Sequence, residues 1–263
     1  MGFLPMQKTS ALDDRSREMD EKSWWDLWNT SYRTKDNNDS VSNELFTRAA
    51  ALINRITQTG RGRVLEVACG TGTLSRMLVY SSYHGLDLSP AAIDQARQKS
   101  ARILSPPGVA PPTYEAADFH DWELPPEQFD VTVCIDAISS FRDQQLVMKK
   151  LAQTLRPHGA LVLTTINRFV YERIKRVGGV TLQSGPVSHW LSHAELNSLV
   201  RQSGLVIESS RTIMPRGNLG ILRLVNSRRL NEAISPGMAA AFKRAKEFLG
   251  LGQYSVVVAR KTS

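Results

Sequence analysis

Acidic residues and glycines follow three apolar runs of the chain at a spacing that suits a nucleoside ligand. Glu66 stands near the end of the first run and is followed by the turn Gly70-Thr71-Gly72, and Asp87 and Asp118 follow the next two runs. Glycine lets a backbone approach a ligand closely. An acid at the end of the second strand can bind ribose hydroxyls, and a later carboxylate can accept from an adenine amine. These residue types predict a site for an adenosine-containing ligand.

Two other kinds of phosphate-binding turn fit this segment less well. The spacing Gly70-x-Gly72-x-x-Ser75 partly matches the dinucleotide fingerprint, but the first strand of that fingerprint usually lacks an acid at the position of Glu66. No Gly-Lys-Ser/Thr follows, which excludes a phosphate-binding P-loop. A purely structural turn remains an alternative, and Cys69 is interpreted as a small turn residue rather than a nucleophile.

Strands and helices alternate around these residues. The predicted strands are Arg63–Ala68, Tyr83–Leu88, Thr113–Ala116, Phe129–Ile135, Ala160–Ile166, Val206–Met214 and Gln253–Lys261. The predicted helices between them are Thr73–Tyr80, Pro90–Ser100, Gln144–Leu155 and one that begins at the capping box Ser192-His193-Ala194-Glu195. This order predicts a mostly parallel sheet covered on both faces.

The two ends of the chain carry further helical patterns. An aromatic cluster of Trp24, Trp25, Trp28 and Tyr32 lies in a predicted helix over residues 18–30 and just beyond it, and is interpreted as a lid over the site or as a core stripe. Residues 216–250 are predicted to be largely helical, with an amphipathic pattern from Met238 to Leu249. This segment is expected to wall a pocket for a second ligand. A membrane-surface element and a dimer contact remain alternatives.

The amino-acid composition is that of a folded globular protein. The 263 residues contain 41% hydrophobic and 22% charged residues, which excludes a wholly disordered chain. The two cysteines cannot form a disulfide framework, and no apolar run approaches the roughly 20 residues of a membrane span. The first residues lack the pattern of a secretory signal, so a cytoplasmic location is expected.

Charge is unevenly distributed along the chain. The net charge is −2 over residues 1–167 and +10 over residues 168–263. The basic part either meets an anionic partner or serves solubility alone.

Taken together, the segments resemble the class I S-adenosylmethionine-dependent methyltransferases. Residues 66–72 are similar to the acidic-x-Gly-x-Gly-x-Gly motif, with Ala68 in place of the first glycine, and residues 129–135 and 155–161 resemble the motifs around the fourth and fifth strands. The resemblance implies an α/β, Rossmann-like, doubly wound sheet of seven strands with an antiparallel last strand. It implies S-adenosylmethionine as cofactor, bound by Tyr32, Glu66, Ala68, Gly70, Thr71, Gly72, Asp87, Leu88, Asp118, Phe119 and Ile135.

A narrower resemblance is to the ubiquinone-biosynthesis O-methyltransferases and their small-molecule relatives. Trp24-Trp25-Asp26, residues 164–168 and residues 188–196 are similar to segments of that group. After the fourth strand, however, the group carries glutamates and a histidine, whereas this chain has Asp136-Ala137-Ile138-Ser139-Ser140-Phe141. A quinone precursor as acceptor and assistance by a metal therefore do not follow, and no metal is expected because no cluster has ligand spacing.

Two residues are candidates for the catalytic base. Asp136 follows the fourth strand, and His189 precedes the capped helix, beside Trp190. Candidates should follow the carboxyl ends of the strands, and imidazole is the usual base near neutral pH. Asp136 could instead orient the cofactor or a loop, and His189 could be a loop histidine bonded to backbone.

These inferences predict an enzyme that methylates a small organic acceptor, with O-methylation favoured over N- or C-methylation. An RNA methyltransferase and a non-catalytic cofactor-binding regulator are the rivals. Against an RNA acceptor, the chain has neither the Asp/Asn-Pro-Pro-aromatic motif nor the Pro-Cys motif, and no recognisable RNA-binding module. The expected organisation is a helical lid at 1–42, a cofactor-binding core at 43–167 and acceptor-site insertions with the last strands at 168–263, as a monomer or a homodimer.

Overall fold

Seven strands form one sheet in the computed structural model, which describes residues 19–32, 40–57, 62–102, 109–123, 128–172, 189–213 and 247–262, together with 237, 241, 244 and 245. The strands are β1 Arg63–Val67, β2 Ser82–Asp87, β3 Thr113–Ala116, β4 Phe129–Ile135, β5 Leu155–Ile166, β6 Val206–Ile213 and β7 Tyr254–Arg260. Their spatial order is β3-β2-β1-β4-β5-β7-β6. The neighbours from β3 to β5 pair in parallel, and β7 is antiparallel to both β5 and β6. The predicted Rossmann-like fold with an antiparallel last strand is confirmed.

Helices cover both faces of the sheet. They are α1 Glu21–Leu27, α2 Ser40–Ile56, α3 Pro90–Ser100, α4 Gln144–Thr154 and α5 His193–Gln202. Apolar side chains of α2 and α3 bury against one face, whereas those of α4 and α5 bury against the other. Because β1 to β5 are parallel, their carboxyl ends lie at one edge of the sheet, where ligands bind in open α/β sheets.

Four of these helices begin at side-chain caps, and the cap of α1 is Asp20, which accepts from Ser23 N–H. The side chain of Ser89 accepts from Ala92 N–H at the start of α3, and the side chain of Asp143 accepts from Leu146 N–H at the start of α4. Ser192 and Glu195 form the predicted capping box at the start of α5. Such caps satisfy backbone donors that a helix end leaves unpaired.

The helix predicted over Thr73–Tyr80 is wrong. Only one 3-10 turn, Leu74–Arg76, follows the glycine turn. The Asn54 side chain of α2 explains the early end, because its Nδ2 donates to Met77 O at 3.0 Å and its Oδ1 accepts from Val79 N–H at 2.8 Å. Backbone groups that would continue a helix are thus satisfied by a side chain from another element.

The residues that the structure describes at the two ends of the chain match the patterns predicted there from the sequence. Helix α1 ends at Leu27 and passes into a π-helical turn, Trp28–Tyr32. Trp24 and Trp28 stack with ring centroids 5.3 Å apart, as their spacing predicts. Most of the segment 216–250, with its amphipathic pattern, lies outside the described residues. No helix in the described part of the chain is long and apolar enough to cross a membrane.

Candidate active site at the carboxyl edge of the sheet

The Asp87 carboxylate joins the end of β2 to the glycine turn. Its Oδ2 accepts from Gly70 N–H at 2.7 Å, and its Oδ1 accepts from Ser89 N–H at 3.0 Å. Two backbone amides therefore fix the orientation of this acid. The Asp87 side chain thus holds together the turn after β1 and the start of α3. Asp87 is also the carboxylate that the sequence predicts to bind the ribose.

The glycine turn runs in a left-handed backbone conformation. Ala68, Gly70 and Gly72 have φ of 59°, 53° and 67°. A Cβ on Gly72 would lie 2.9 Å from the Tyr114 hydroxyl and 3.1 Å from Ala96, so only glycine fits there. Ala68, which stands where the family motif has its first glycine, takes a conformation that costs an L-residue about 1–2 kcal/mol. Strain of this kind persists where surrounding structure over-determines the backbone.

Glu66 lies on β1 directly before this turn, with 1% of its surface exposed. The Tyr83 hydroxyl on β2 donates to its Oε2 in a short hydrogen bond. Burial, and then the Glu66 charge, raise the pKa of Tyr83 well above its ordinary value, so its hydroxyl keeps the proton that it donates. A buried polar group has to be hydrogen-bonded, and Tyr83 meets this requirement for Glu66.

Asp118, after β3, is held by His120 and Arg142. Its Oδ1 accepts from His120 N–H at 2.9 Å and from His120 Nδ1 at 2.8 Å, and its Oδ2 accepts from Arg142 Nη2 at 3.0 Å. The Asp143 N–H points at His120 Nε2 at 3.4 Å, which places the ring proton on Nδ1. Burial alone would raise the pKa of Asp118, but the hydrogen bonds from His120 and the charge of Arg142 lower it below its ordinary value, so this carboxylate is ionised near neutral pH.

The Phe119 ring, 3% exposed, is mostly covered by protein. Trp122 and Phe141 pack against it with ring centroids 6.0 Å and 6.5 Å away, and Lys150 Nζ lies 5.4 Å from its centroid. Lys150, on α4, also donates to His120 O at 2.7 Å and to Trp122 O at 2.8 Å. This one side chain fastens the loop that carries Asp118 and Phe119 to α4.

Helix α1 docks on the start of α3. Asp26 Oδ1 accepts from Ser89 Oγ at 2.5 Å and from Ala91 N–H at 3.2 Å. Glu21 Oε2 lies 3.4 Å from Arg142 Nε, so the arginine that binds Asp118 also pairs with the N-terminal helix. The helix therefore lies beside the ends of β2 and β3, and its role as a lid stays a prediction.

An open groove of about 570 Å³ lies between the first turn of α4 and α5. The residues that line it are Arg142, Asp143, Gln144, Gln145, His189, Leu191, Glu195, Ser198, Leu199 and Gln202. His189 is exposed, its N–H donates to Ser139 O at 2.8 Å, and its carbonyl accepts from Gln144 Nε2 at 2.8 Å. Backbone contacts thus place this histidine over the loop that follows β4.

The two candidate bases, Asp136 and His189, lie differently with respect to the groove. Asp136 has φ of 55°, and its N–H donates to the carbonyl and the hydroxyl of Thr164 on β5 at 2.9 Å and 3.0 Å. It is not among the described residues that line the groove. His189 therefore stays a candidate for a base that faces an acceptor, and Asp136 a candidate for shaping the turn after β4.

The structure brings most of the predicted cofactor residues to one edge. Thr71 is buried in the turn, Leu88 is half-buried after β2, and Ile135 is buried at the end of β4. The side chain of Tyr32 lies outside the described residues. No group of three or more His, Cys, Asp or Glu is placed to hold a metal ion in the part of the chain that the structure describes.

Sequence reasoning missed three residues that build this edge: Tyr83, Arg142 and Lys150. Each acts across 17 to 30 positions of the chain, on Glu66, Asp118 and the loop after β3 respectively. Only Lys150 left a local signal, since it is a charged residue among the buried positions Val147, Met148 and Leu151 of α4.

Comparison with known proteins agrees with this geometry. Residues 42–210 match the family described as "Methyltransferase domain", which covers well over half of the chain. Parallel strands β1 to β5, the glycine turn and the acids at the strand ends define a class I S-adenosylmethionine-dependent methyltransferase, whose cofactor is S-adenosylmethionine. The chain belongs to this methyltransferase family.

Curated relatives narrow the resemblance further. The chain is 27% identical over 179 residues to the mitochondrial ubiquinone biosynthesis O-methyltransferase of Schizosaccharomyces pombe, covering 66% of this chain and 62% of that protein. It is 25% identical over 215 residues to the ubiquinone biosynthesis O-methyltransferase of Shewanella sp. strain ANA-3, covering 77% and 85%. The chain thus spans less than two thirds of the length of the first relative.

A solved structure shares the fold. The S-adenosylmethionine-dependent methyltransferase of Mesorhizobium loti superimposes with a TM-score of 0.55 at 22% identity, covering 81% of this chain and 98% of that one.

Proposed function

We propose that this enzyme transfers the methyl group of S-adenosylmethionine to a hydroxyl oxygen of a small organic acceptor. The observation that carries the proposal is the position of Arg142, which binds Asp118 at the adenosine-type site and also lines the groove that contains His189. Curated relatives named as O-methyltransferases support oxygen as the methylated atom. The sequence after β4 differs from theirs, so a quinone precursor is not proposed.

In the proposed complex, different residues at the carboxyl edge of the sheet bind different parts of the cofactor. Asp87 accepts from the ribose hydroxyls and Asp118 from the adenine amine, while Glu66 and the glycine turn hold the amino-acid end. The apolar residues Leu88, Phe119 and Ile135 flank the base and the ribose. The donor set fits: the carboxyl groups are acceptors for ligand groups that donate, and the glycines of the turn let the backbone approach a ligand closely.

Methyl transfer from a sulfonium is an in-line displacement, and the bound cofactor supplies an already activated methyl group. An oxygen–carbon bond forms as the sulfur–carbon bond breaks, and the electron pair of the broken bond stays on sulfur. The chain has to align the acceptor, exclude water and take up the hydroxyl proton. His189 is the proposed receiver of that proton, because its backbone contacts hold it beside the loop after β4.

Replacing His189 by alanine tests the proposed base. We expect unchanged affinity for S-adenosylhomocysteine and a turnover lowered by roughly 10²–10⁴-fold, because proton removal would be left to solvent. The residual rate should rise with pH as the acceptor ionises unaided. The measurement is turnover against pH with an acceptor found by screening, with Gln202→Ala in the same groove as the matched control.

The pH profile separates the roles of His189. A smaller loss that does not depend on pH indicates that it only positions the acceptor. Full turnover with the wild-type profile would show that His189 takes no part, and Asp136 would become the residue to test.

A further inference from the structure

Tyr83 reaches the Glu66 carboxylate because the residue between them on β2 has no side chain. Strand register pairs Val64 with Tyr83 and Glu66 with Gly85, so these four residues share one face of the sheet. A Cβ on Gly85 would lie 3.1 Å from Cε1 of the Tyr83 ring. The tyrosine ring therefore passes over Gly85 and delivers its hydroxyl to Glu66 Oε2.

Neighbouring rings hold the Tyr83 ring in place. Tyr80 and Tyr114 pack against it with centroids 5.5 Å and 5.8 Å away. The Tyr114 hydroxyl lies 2.7 Å from the hydroxyls of both Ser75 and Ser100. Tyr83 itself is 2% exposed, so neither its ring nor its hydroxyl can turn away from Glu66 without disturbing the core.

We propose that Tyr83 is a positioning residue, which holds the Glu66 carboxylate in the orientation that receives the cationic amino-acid end of the cofactor. The inference rests on the cofactor site proposed above. A carboxylate restrained by a hydrogen bond loses less freedom when a ligand ammonium pairs with it, and it is already desolvated. Tyr83 would thus act on one part of the ligand and not on its adenosine part.

Two ligands separate this role from simple support of the fold. S-adenosylhomocysteine and 5′-methylthioadenosine share the adenosine and the sulfur, but only the first carries the amino-acid group. Tyr83→Phe keeps the ring and removes the hydroxyl. Calorimetric titration should show S-adenosylhomocysteine bound several-fold more weakly, with an upper limit of roughly 100-fold set by the full free energy of a hydrogen bond to a charged group. The dissociation constant of 5′-methylthioadenosine should change by less than about twofold on the same reasoning.

Two further variants complete the experiment. Tyr80→Phe removes a hydroxyl from the neighbouring ring and should leave both dissociation constants unchanged. Glu66→Gln should weaken S-adenosylhomocysteine selectively, and adding Tyr83→Phe to it should cost much less than in the wild type, because the two residues act as one unit. The Glu66→Gln variant also keeps the test usable should Tyr83→Phe fold poorly, as judged by its thermal unfolding midpoint.

The outcomes are distinguishable. Equal weakening of both ligands, or weakening of neither, by Tyr83→Phe would overturn the role of Tyr83 while the cofactor site stands. A wild-type protein that binds neither ligand would overturn the proposed function and this inference with it.

Discussion

At the level of single residues, three carboxylates organise the site. Hydrogen-bond donors of the backbone and of neighbouring side chains determine where each carboxylate lies. Asp87 is held by two amides, Asp118 by His120 and Arg142, and Glu66 by Tyr83. Each acid is thereby oriented by the protein itself. Preorganisation of this kind reduces the ordering cost that a ligand would otherwise impose.

Replacing Asp87 by alanine tests the proposed ribose contact. We expect S-adenosylhomocysteine binding to weaken by about 2–4 kcal/mol, because two charge-assisted hydrogen bonds are lost. Calorimetric titration measures this, and the exposed Asp94→Ala on α3 is the control that removes a carboxylate without touching the site. Unchanged affinity of Asp87→Ala would remove the ribose assignment.

The same variant should also be less stable. Asp87 joins the glycine turn to the start of α3, so its loss leaves Gly70 N–H and Ser89 N–H without these acceptors. The thermal unfolding midpoint should therefore be measured beside the affinity, and only a variant that is folded at the titration temperature is compared.

At the level of elements, three polar contacts attach α1 to the rest of the described structure near the site. Asp26 accepts from Ser89 and Ala91 at the start of α3, and Glu21 pairs with Arg142. A negative side chain at a helix amino end is favourable because of the helix dipole. The contacts tie the aromatic cluster of Trp24, Trp25 and Trp28 to the strand end that carries Asp87.

Replacing Asp26 by alanine should loosen this attachment. The expected loss is about 1 kcal/mol, the usual effect of removing a capping side chain. Amide hydrogen exchange of residues 21–32 should speed up accordingly, while exchange in β4 and β5 stays unchanged. Asp26→Asn keeps an oxygen acceptor and should show a smaller effect. Identical exchange in wild type and Asp26→Ala would contradict the docking role.

At the level of the whole molecule, the strands of the sheet were predicted from the sequence more accurately than the segments that connect them. Apolar runs between turn residues located the strands, since a buried parallel strand is a local pattern. The helix expected after the glycine turn is absent because Asn54, which precedes it by about 20 positions, satisfies the backbone there. A side chain that acts over such a separation leaves no periodic signal.

In the site, too, the local features were predicted from the sequence, whereas the contacts between distant parts of the chain were not. The glycine turn and the acids at the strand ends were located by sequence because each ends a strand that is visible on its own. Tyr83 was missed because its role exists only once β1 and β2 are paired, and Arg142 because its role exists only once the start of α4 lies beside the end of β3. The acceptor groove depends in the same way on the packing of α4 and α5 against one face of the sheet.

Transfer of an isotope-labelled methyl group tests the central claim most directly. The protein is incubated with methyl-labelled S-adenosylmethionine and separate pools of small hydroxy compounds, matched amines and RNA, and both S-adenosylhomocysteine and labelled product are quantified. The account predicts label on oxygen in the hydroxy pool, with one S-adenosylhomocysteine formed per methyl transferred and a background rate in the other pools. Label confined to amines or to RNA, or no label in any pool, would contradict it.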